Sequence, residues 1–364
     1  MENKLKLGFG LMRLPKKGLG FDVPQICQMV DAFLEAGGTY FDTAFVYPGS
    51  EDVTRKALVE RHPRESYTLA TKLYAAMVPT AKLAKQELTT SLKRTGAGYF
   101  DYYLLHTLQK NNVHKYDKFE LWDFVREQKE KGVIKNWGFS FHDGPELLDE
   151  LLTKNPDADF VQLQINYADW ENPSVTSRAN YEVARKHGKP IVVMEPVKGG
   201  LLANPVPEAK KLFDMASASA SYASWAIRYV ASLEGILAVL SGMSNIQQMN
   251  DNLSYMKNFQ PLSEQEREVI RNVQKVMGRD GSIACTSCHY CTKGCPKQIP
   301  IPEIFAARNR QLIYNQYDEG KALYQEAVSG QGKASDCIGC QQCEKACPQH
   351  LPITKLLADC KAME

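Results

Sequence analysis

The chain has 364 residues, 44% of them hydrophobic, and its 44 basic and 42 acidic side chains leave a formal net charge of +2. This length predicts one large and one smaller domain, or two of similar size, and the hydrophobic content argues against disorder. The near-neutral charge argues against nucleic-acid binding driven by charge and against attraction to a membrane surface. No apolar stretch reaches membrane-spanning length, and no signal-like apolar run lies within residues 1–14, so we expect a soluble cytoplasmic protein.

Helices and strands alternate in the sequence over residues 1–277. The first predicted helix has Asp22 as N-cap and stops at Gly37, before a strand at 39–41. Six more helix–strand pairs follow. The predicted helices cover 51–59, 79–94, 118–130, 145–152, 175–187 and 217–232, and the strands after them cover 67–71, 101–105, 136–139, 160–164, 191–194 and 235–240. Ser263 and Glu266 have capping-box spacing and open a closing helix that ends at 277.

This alternation predicts the α/β class, with a parallel sheet and helices outside it. Seven or eight strands in about 250 residues fit a (β/α)₈ TIM barrel. A doubly wound sheet is the alternative, but its glycine-rich turn is missing, because the segment 8–13 lacks the third glycine. We expect the barrel to occupy 1–277 and a second domain to occupy 281–364, with Gly278 and Gly281 flanking the boundary.

Ionisable residues stand at the ends of three predicted strands, where a barrel places its chemistry. They are Asp42, Lys72 and His106, and Tyr47 lies in the loop after the first of these strands. Taken singly, each has an ordinary explanation, such as a cap, a solvated strand end or a packed aromatic ring. Together they suit proton donation to a carbonyl, since an ammonium lowers a tyrosine pKa, a carboxylate holds the ammonium, and a neutral imidazole binds the carbonyl oxygen.

These residues lie in segments that resemble the aldo-keto reductase family. The matching segments are Phe41–Ala44 with Tyr47, Ala70–Lys72, Tyr103–His106, Gly8–Met12 and Trp137–Ser140. That family folds as a (β/α)₈ barrel and transfers hydride between a nicotinamide and a carbonyl. The resemblance implies that Tyr47 is the general acid, that Lys72 and Asp42 tune it, and that His106 orients the substrate.

The same resemblance implies a site for NADP or NAD. The implied contacts are Met12, Asp42, Ser140, Gln164, Met194, Glu195, Pro196, Val197, Lys198, Gly242, Ser244, Gln248, Asp251 and Asn252. Three positions depart from the family pattern: Phe141 replaces a common Asn, Met194 replaces a stacking ring, and Met243 replaces a cation near the 2′-phosphate. Because no arginine lies within 244–252, the choice between NADP and NAD stays open.

Nine of the ten cysteines lie beyond residue 284, in two runs of the same spacing. The runs are Cys285, Cys288, Cys291 and Cys295 before Pro296, and Cys337, Cys340, Cys343 and Cys347 before Pro348. In bacterial two-cluster ferredoxins with this spacing, the fourth cysteine of each run ligates the other cluster. We therefore expect two [4Fe–4S] clusters, one on Cys285, Cys288, Cys291 and Cys347 and one on Cys337, Cys340, Cys343 and Cys295.

Zinc is the alternative occupant of these cysteines, but zinc sites use pairs of ligands rather than triplets. Cys27 and Cys360 fall outside the pattern, and we interpret both as small apolar residues. The stretch 300–336 between the runs predicts two helices, and the region 281–364 resembles the α-helical two-cluster ferredoxin domains of larger redox enzymes.

Three hypotheses for function follow from these two parts. The first is an NAD(P)H-dependent carbonyl reductase or alcohol dehydrogenase, acting on a small carbonyl or alcohol, whose clusters are structural or sense redox state. The second is an electron-transfer module that exchanges electrons with a ferredoxin or a partner enzyme. The third is a non-catalytic redox sensor. We favour the first because Asp42, Tyr47, Lys72 and His106 are all present, although hydride transfer moves two electrons and a cluster moves one.

Overall fold

The computed structural model describes residues 5–173, 175–277, 282–314 and 316–364, so the boundary glycines Gly278 and Gly281 lie outside the described residues. None of the helices in these ranges has the length and apolar character needed to span a membrane. The chain divides into two compact units. The first comprises Met1–Asn172, Thr176–Pro196 and Ala223–Leu262, and the second comprises Pro173–Val175, Val197–Tyr222 and Ser263–Glu364.

The first unit contains a closed barrel of eight parallel strands, which confirms the predicted fold class and excludes the doubly wound sheet. Strand β1 (Leu7–Gly10) is followed by a small antiparallel hairpin, β2 (Lys16–Lys17) and β3 (Gly20–Phe21), outside the barrel. The other barrel strands are β4 (Tyr40–Asp42), β5 (Thr68–Leu73), β6 (Phe100–Leu108), β7 (Ile134–Phe141), β8 (Phe160–Gln164), β9 (Ile191–Met194) and β10 (Ile236–Ser241). Strand β10 pairs with β1 and closes the barrel.

Helices follow most of these strands in chain order. They are α1 (Val23–Glu35), α2 (Ser50–Thr54) with a π-helical turn at Arg55–Val59, α3 (Ala81–Thr95), α4 (Val113–Lys118), α5 (Leu121–Glu130), α6 (Pro145–Lys154), α7 (Ser177–Lys186), α8 (Pro207–Ala216), α9 (Tyr222–Ala231) and α10 (Ile246–Met256). The Asp22 cap of α1 is present, since its side chain accepts a hydrogen bond from the Gln25 amide at 3.3 Å.

The helices differ from the predictions in three places. The helix predicted at 118–130 begins only at Leu121, as α5, because Glu120 adopts a left-handed φ of 55°, and Lys118 instead ends the separate helix α4. The segment predicted at 217–232 becomes helical only at Tyr222, since alternating serines compete for backbone hydrogen bonds. Helix α8 was not predicted, although Pro207 in its first turn is a typical start signal.

The barrel has an inner and an outer apolar layer. Inside it, side chains of β4, β5, β6, β8, β9 and β10 fill the centre, and the buried members are Tyr40, Ala70, Leu104, Phe160, Val192, Ala238 and Leu240. Outside it, Phe33 of α1 packs on Phe9 and Phe41, with ring centroids 5.9 and 5.2 Å away. Since both layers are filled by side chains, the barrel is a packed core, and polar residues are accommodated at its ends.

The second unit is mainly helical. Besides α8 it contains α11 (Glu264–Met277), α12 (Ile301–Tyr314), α13 (Tyr317–Ala327), α14 (Gln342–Ala346) and α15 (Ile353–Cys360). The Ser263–Glu266 capping box of α11 is formed in both directions, at 2.8 and 3.3 Å. Helices α12 and α13 match the two helices expected in 300–336. The loops between these helices carry both cysteine runs except Cys343, which lies in α14.

Candidate active site and cysteine-lined cavities

A buried ion pair occupies the carboxyl ends of β4 and β5. Asp42 ends β4, and its Oδ1 accepts a hydrogen bond from Lys72 Nζ of β5 at 2.5 Å. Lys72 Nζ also donates to the Thr43 carbonyl at 2.7 Å. Both side chains are almost completely buried, at 0% and 4% exposure. Neighbouring parallel strands thus bring together two charges that lie 30 residues apart in the sequence.

Burial acts on both members of this pair. It lowers the pKa of Lys72, against the opposing attraction of Asp42. It raises the pKa of Asp42, against the opposing effect of the Lys72 ammonium. Each charge therefore depends on the other, because an isolated charge at this depth would be strongly destabilised.

Tyr47 and His106 lie beside this ion pair. Lys72 Nζ is 5.1 Å from the centroid of the half-buried Tyr47 ring. The Tyr47 and His106 rings meet edge to face, with centroids 5.9 Å apart. The loop that carries Tyr47 is held because the Thr43 and Ser50 hydroxyls lie 2.7 Å apart across it. The structure thus brings together all four residues that the sequence placed at one end of the barrel.

His106 is supported by two tyrosines that the sequence analysis did not identify. The Tyr116 hydroxyl donates to the His106 carbonyl oxygen, and the Tyr74 ring packs edge-on against the imidazole with centroids 5.5 Å apart. Tyr74 comes two residues after Lys72, and alternation along a strand puts such residues on one side. That signal was available in the sequence, whereas nothing local marks Tyr116.

Glu87 of α3 is a buried carboxyl behind this site. Its Oε2 accepts a hydrogen bond from the Tyr74 amide at 2.8 Å, so it anchors the backbone that follows β5. Burial raises the pKa of Glu87 to about 7, with the Tyr74 amide acting in the opposite direction. The carboxyl therefore changes charge near neutral pH in the folded protein.

Replacing Glu87 with Gln is expected to flatten the pH dependence of stability. A carboxyl whose pKa rises on folding stabilises the folded state at low pH, and that stability is lost as pH rises from about 4.5 to 7. The Gln variant keeps an acceptor for the Tyr74 amide but cannot ionise. Urea unfolding at pH 5 and pH 8 should show the variant gaining up to about 3 kcal/mol relative to wild type over this interval. The exposed Glu146→Gln is the matched control, and equal behaviour of both variants would contradict the assignment.

Ser140 and Gln164, the two polar residues predicted to hold the nicotinamide, lie at the carboxyl ends of β7 and β8. The Ser140 hydroxyl accepts a hydrogen bond from the Thr107 amide at 2.7 Å. The Gln164 amide donates to Asp169 Oδ2 at 3.0 Å, and both side chains are buried. These hydrogen bonds fix the two side chains at the barrel end.

The residue that follows β9 pairs with Arg13, which the sequence did not mark as a site residue. Met194 is half-buried, and Glu195 after it has a left-handed φ of 54° and pairs with Arg13 at 3.4 Å. Arg13 follows Met12 in a 3₁₀ turn and lies against Gly242, where a Cβ would come 3.4 Å from its Cδ. A cation therefore lies near the implied nucleotide segment, although 244–252 contains no arginine.

The implied adenosine-side segment leads into α10. The Ser244 amide donates to Gln248 Oε1 at 2.7 Å, and Asn245 caps the helix by accepting from the Gln248 amide at 2.8 Å. Asn252 is buried and Asp251 is half-buried. Among the described residues, neither Asn252 Oδ1 nor Asp42 Oδ2 has a hydrogen-bond partner, so both oxygens can accept from a bound polar ligand.

In the second unit, the segment after Pro196 packs on the first cysteine run. Val197 and Lys198 begin this segment, and Gly199 has a φ of 66°. A Cβ on Gly199 would lie 2.5 Å from the Thr286 carbonyl oxygen. Glycine is required here because the two backbones approach too closely for any side chain.

Gly199→Ala is expected to destabilise the second unit and to displace the loop around Cys285. The matched control is Gly330→Ala, which has a similar φ of 71° but open space around it. The control should lose about 1–2 kcal/mol, the cost of left-handed backbone. The free energy of unfolding of the Gly199 variant should fall by a further ~1–3 kcal/mol, because the added methyl group overpacks the loop. Chemical unfolding and iron content measure the difference, and equal losses would contradict the predicted close approach.

The eight cysteines of the two runs line two separate cavities. One is lined by Cys285, Cys288, Cys291 and Cys347, and the other by Cys295, Cys337, Cys340 and Cys343. The last cysteine of each run thus lies with the first three of the other run. Outside both cavities, Cys27 is half-buried and Cys360 is buried in the apolar core of the second unit.

The chemistry of these cavities suits iron–sulfur clusters. Burial raises the pKa of Cys285 and of Cys343 to about 11, so a positively charged centre is needed to keep the thiolates ionised. Among the described residues, no three His, Cys, Asp or Glu side chains converge on a point that would hold a single metal ion. A [4Fe–4S] cluster would need no such convergence, since each thiolate would bind a different iron.

Comparison with known proteins assigns the barrel to a family. The model of the aldo/keto reductase family matches residues 6–275. The chain belongs to this family. A second model, described as a 4Fe-4S dicluster domain, matches residues 284–351, which contain all eight cysteines of the two runs. An aldo/keto reductase barrel is therefore followed by a 4Fe-4S domain in this chain.

Proteins similar to this chain include one curated relative and two solved structures. The uncharacterized oxidoreductase YqkF of Bacillus subtilis is 23% identical over 75% of this chain and 96% of its own. The holo form of the aldo-keto reductase AKR11C1 from Bacillus halodurans is 26% identical, with a TM-score of 0.59 over 74% of this chain and 91% of its own. An aldo-keto reductase of Klebsiella pneumoniae in complex with NADPH is 20% identical, with a TM-score of 0.61 over 74% and 90%, and supports the fold.

Proposed function

We propose that this aldo/keto reductase is an NAD(P)H-dependent carbonyl reductase or alcohol dehydrogenase that also carries two [4Fe–4S] clusters. The observation that carries the proposal is the packing of Tyr47 and His106 around the buried Lys72–Asp42 pair. The four residues to which the family resemblance assigns catalytic roles thus lie together at one end of the barrel.

Each residue of this group has a distinct role in the proposed reaction. A bound nicotinamide cofactor supplies or accepts the hydride. The Tyr47 hydroxyl donates a proton to the carbonyl oxygen in reduction and takes it back in alcohol oxidation. His106 hydrogen-bonds the same oxygen and orients the substrate. The Lys72 ammonium, 5.1 Å from the Tyr47 ring, stabilises negative charge on the phenolic oxygen, and Asp42 keeps that ammonium in place.

The residues present fit a nicotinamide nucleotide. Asp42 Oδ2 and Asn252 Oδ1 are buried acceptors that receive no hydrogen bond from the described residues. Ser140 and Gln164 would contact the carboxamide, and the segment Gly242–Ser244 with α10 would contact the adenosine side. Arg13 would supply a cation to a nucleotide phosphate near Gly242.

Arg13→Met is expected to weaken NADPH binding more than NADH binding. Only NADPH carries a 2′-phosphate, and a charge-assisted hydrogen bond from Arg13 to it contributes about 1.5–3 kcal/mol, so the Kd for NADPH should rise about 10- to 100-fold. Fluorescence titration with both nucleotides measures the change. The exposed Lys16→Met, on the hairpin outside the barrel, is the control. Unchanged NADPH affinity would exclude Arg13 from the phosphate site.

The two clusters are proposed on the two sets of four cysteines. The first set comprises Cys285, Cys288, Cys291 and Cys347, and the second comprises Cys295, Cys337, Cys340 and Cys343, as the two cavities bring them together. Anaerobically purified protein should then contain eight irons per chain, two clusters of four. Zinc in place of iron would contradict this part of the proposal.

The activity itself is tested with small aldehydes and ketones. Anaerobic protein is mixed with NADPH deuterated at either face of C4, and each carbonyl product is examined for deuterium. The proposal predicts that one face alone transfers its deuterium to the carbonyl carbon. If carbonyls with NADPH and alcohols with NADP⁺ all fail to react, with protein that binds NADPH, the proposal is contradicted.

A second candidate function is electron exchange with a ferredoxin or partner enzyme. The observation that favours it is the exposure of Cys340 in the second cysteine set. This function does not exclude the first, because the proton-transfer residues and the cysteines belong to different units of the chain.

A further inference from the structure

The two cysteine-lined cavities differ in their exposure to solvent. Cys340 is exposed, whereas each of the other seven cysteines is buried or half-buried. Ile338 beside it is 61% exposed, and Gly339, Gln341 and Gln342 are exposed as well. The segment Ile338–Gln342 therefore covers one side of the second cavity with a thin, uncharged surface.

The lining of the first cavity is less exposed, because His289 is the one exposed residue among its described lining residues. Its loop carries the buried residues Thr286 and Cys291, and Thr286 is in close contact with the Gly199 backbone. Its fourth cysteine, Cys347, is also buried. Electron transfer between proteins weakens steeply with distance, so a centre in the second cavity would exchange electrons with an outside carrier faster than one in the first.

Charge also distinguishes the two cavities. The stretches 293–297 and 333–355, which supply the second cavity, contain five lysines and two acidic residues. The lysines are Lys293, Lys297, Lys333, Lys345 and Lys355, and all five side chains are exposed. The two cysteine stretches of the first cavity, 285–291 and 347–351, contain no lysine, arginine or acidic residue, and its third stretch, 301–305, adds the acidic Glu303. The exposed cavity thus lies in a basic surface.

We propose that the segment Ile338–Gln342, together with the exposed lysines of the stretches that supply the second cavity, is the docking surface for a small acidic protein that carries one electron. An exposed apolar residue, here Ile338, in stretches that carry five exposed lysines matches an acidic carrier, because opposite charges speed the encounter and desolvation of Ile338 stabilises the contact. In the transfer step one electron passes between the carrier and the second cluster, and the step requires no proton. The proposal rests on the two clusters proposed above.

The test uses the full chain, with its clusters reduced by dithionite and excess reductant removed. The reduced protein is mixed in a stopped-flow instrument with ferric cytochrome b5, an acidic one-electron acceptor, or with ferric cytochrome c, a basic one. One electron then leaves the cluster and reduces the haem iron, which the haem absorbance reports. If the basic surface is the docking site, the rate constant for reduction of cytochrome b5 should fall as the salt concentration rises, whereas the rate constant for cytochrome c should not fall.

The variant is the double substitution Lys297→Gln and Lys355→Gln, and the matched control is Lys321→Gln on α13, also exposed. Removing two of five charges should lower the second-order rate constant with cytochrome b5 about three- to tenfold. The control should keep the wild-type rate constant. A redox titration followed by EPR should show unchanged cluster potentials in the double variant and in the control.

Equal rates for the double variant and the control would overturn the docking surface while leaving the clusters in place. The same holds if the cytochrome b5 rate is independent of salt. Protein that binds no iron would overturn the proposed clusters and, with them, this surface. Iron content measured on each sample therefore separates failure of the docking surface from failure of the proposed function.

Discussion

Tyr47→Phe is expected to lower kcat/KM for carbonyl reduction by about 10²–10⁴-fold, the usual contribution of a positioned general acid. Phenylalanine keeps the ring that packs on His106 and faces Lys72, so only the proton donor is lost. The Kd for NADPH should stay within about twofold, since substitutions that remove no contact are nearly neutral. Steady-state kinetics and fluorescence titration measure the two quantities.

Tyr74→Phe is the matched control for this substitution. It also removes one hydroxyl from a ring that packs on His106, but Tyr74 has no assigned proton to transfer. Its kcat/KM should change by less than about fivefold, within the range of an ordinary hydrogen bond. If Tyr47→Phe kept a tenth or more of the wild-type kcat/KM, Tyr47 would not be the general acid.

Lys72→Met is expected to abolish measurable carbonyl reduction and to lower the free energy of unfolding by about 3–5 kcal/mol. The stability loss has a simple cause, because the substitution leaves Asp42 buried without its cation. Urea unfolding gives the free energy, and circular dichroism shows whether the barrel remains folded.

The double variant Lys72→Met with Asp42→Leu separates stability from chemistry. Removing both charges leaves no uncompensated group, so the double variant should recover most of the lost stability. Its activity should remain lost, because the ammonium beside Tyr47 is still missing. Recovery of activity along with stability would show that the ion pair acts on the fold alone.

Much of the barrel was predictable because its signals are local. Strands β8 and β9 lie where the sequence predicted them, since apolar runs bounded by helix patterns mark buried parallel strands. Asp42, Lys72 and His106 could be identified because each ends or nearly ends a strand. The predictions failed where a local signal was weak, as at the left-handed Glu120 between α4 and α5.

Long-range partners could not be predicted from one sequence. Glu87 looks like a surface residue of a polar helix, and only the fold shows that it is buried against the Tyr74 amide. Arg13 pairs with Glu195, 182 residues further along the chain. The partition of 197–222 into the second unit likewise depends on packing, as in the contact of Gly199 with Thr286.

Separate hydride and one-electron chemistry is tested most directly by the absorbance and EPR spectra of anaerobic protein before and after NADPH, and again after a carbonyl substrate. We expect NADPH to bind without reducing the clusters. Its absorbance should then decay only when the carbonyl is added, and the reduced-cluster EPR signal should appear only with a one-electron donor. Oxidation of NADPH with appearance of that signal, in the absence of a carbonyl, would contradict separate hydride and one-electron chemistry in the two units.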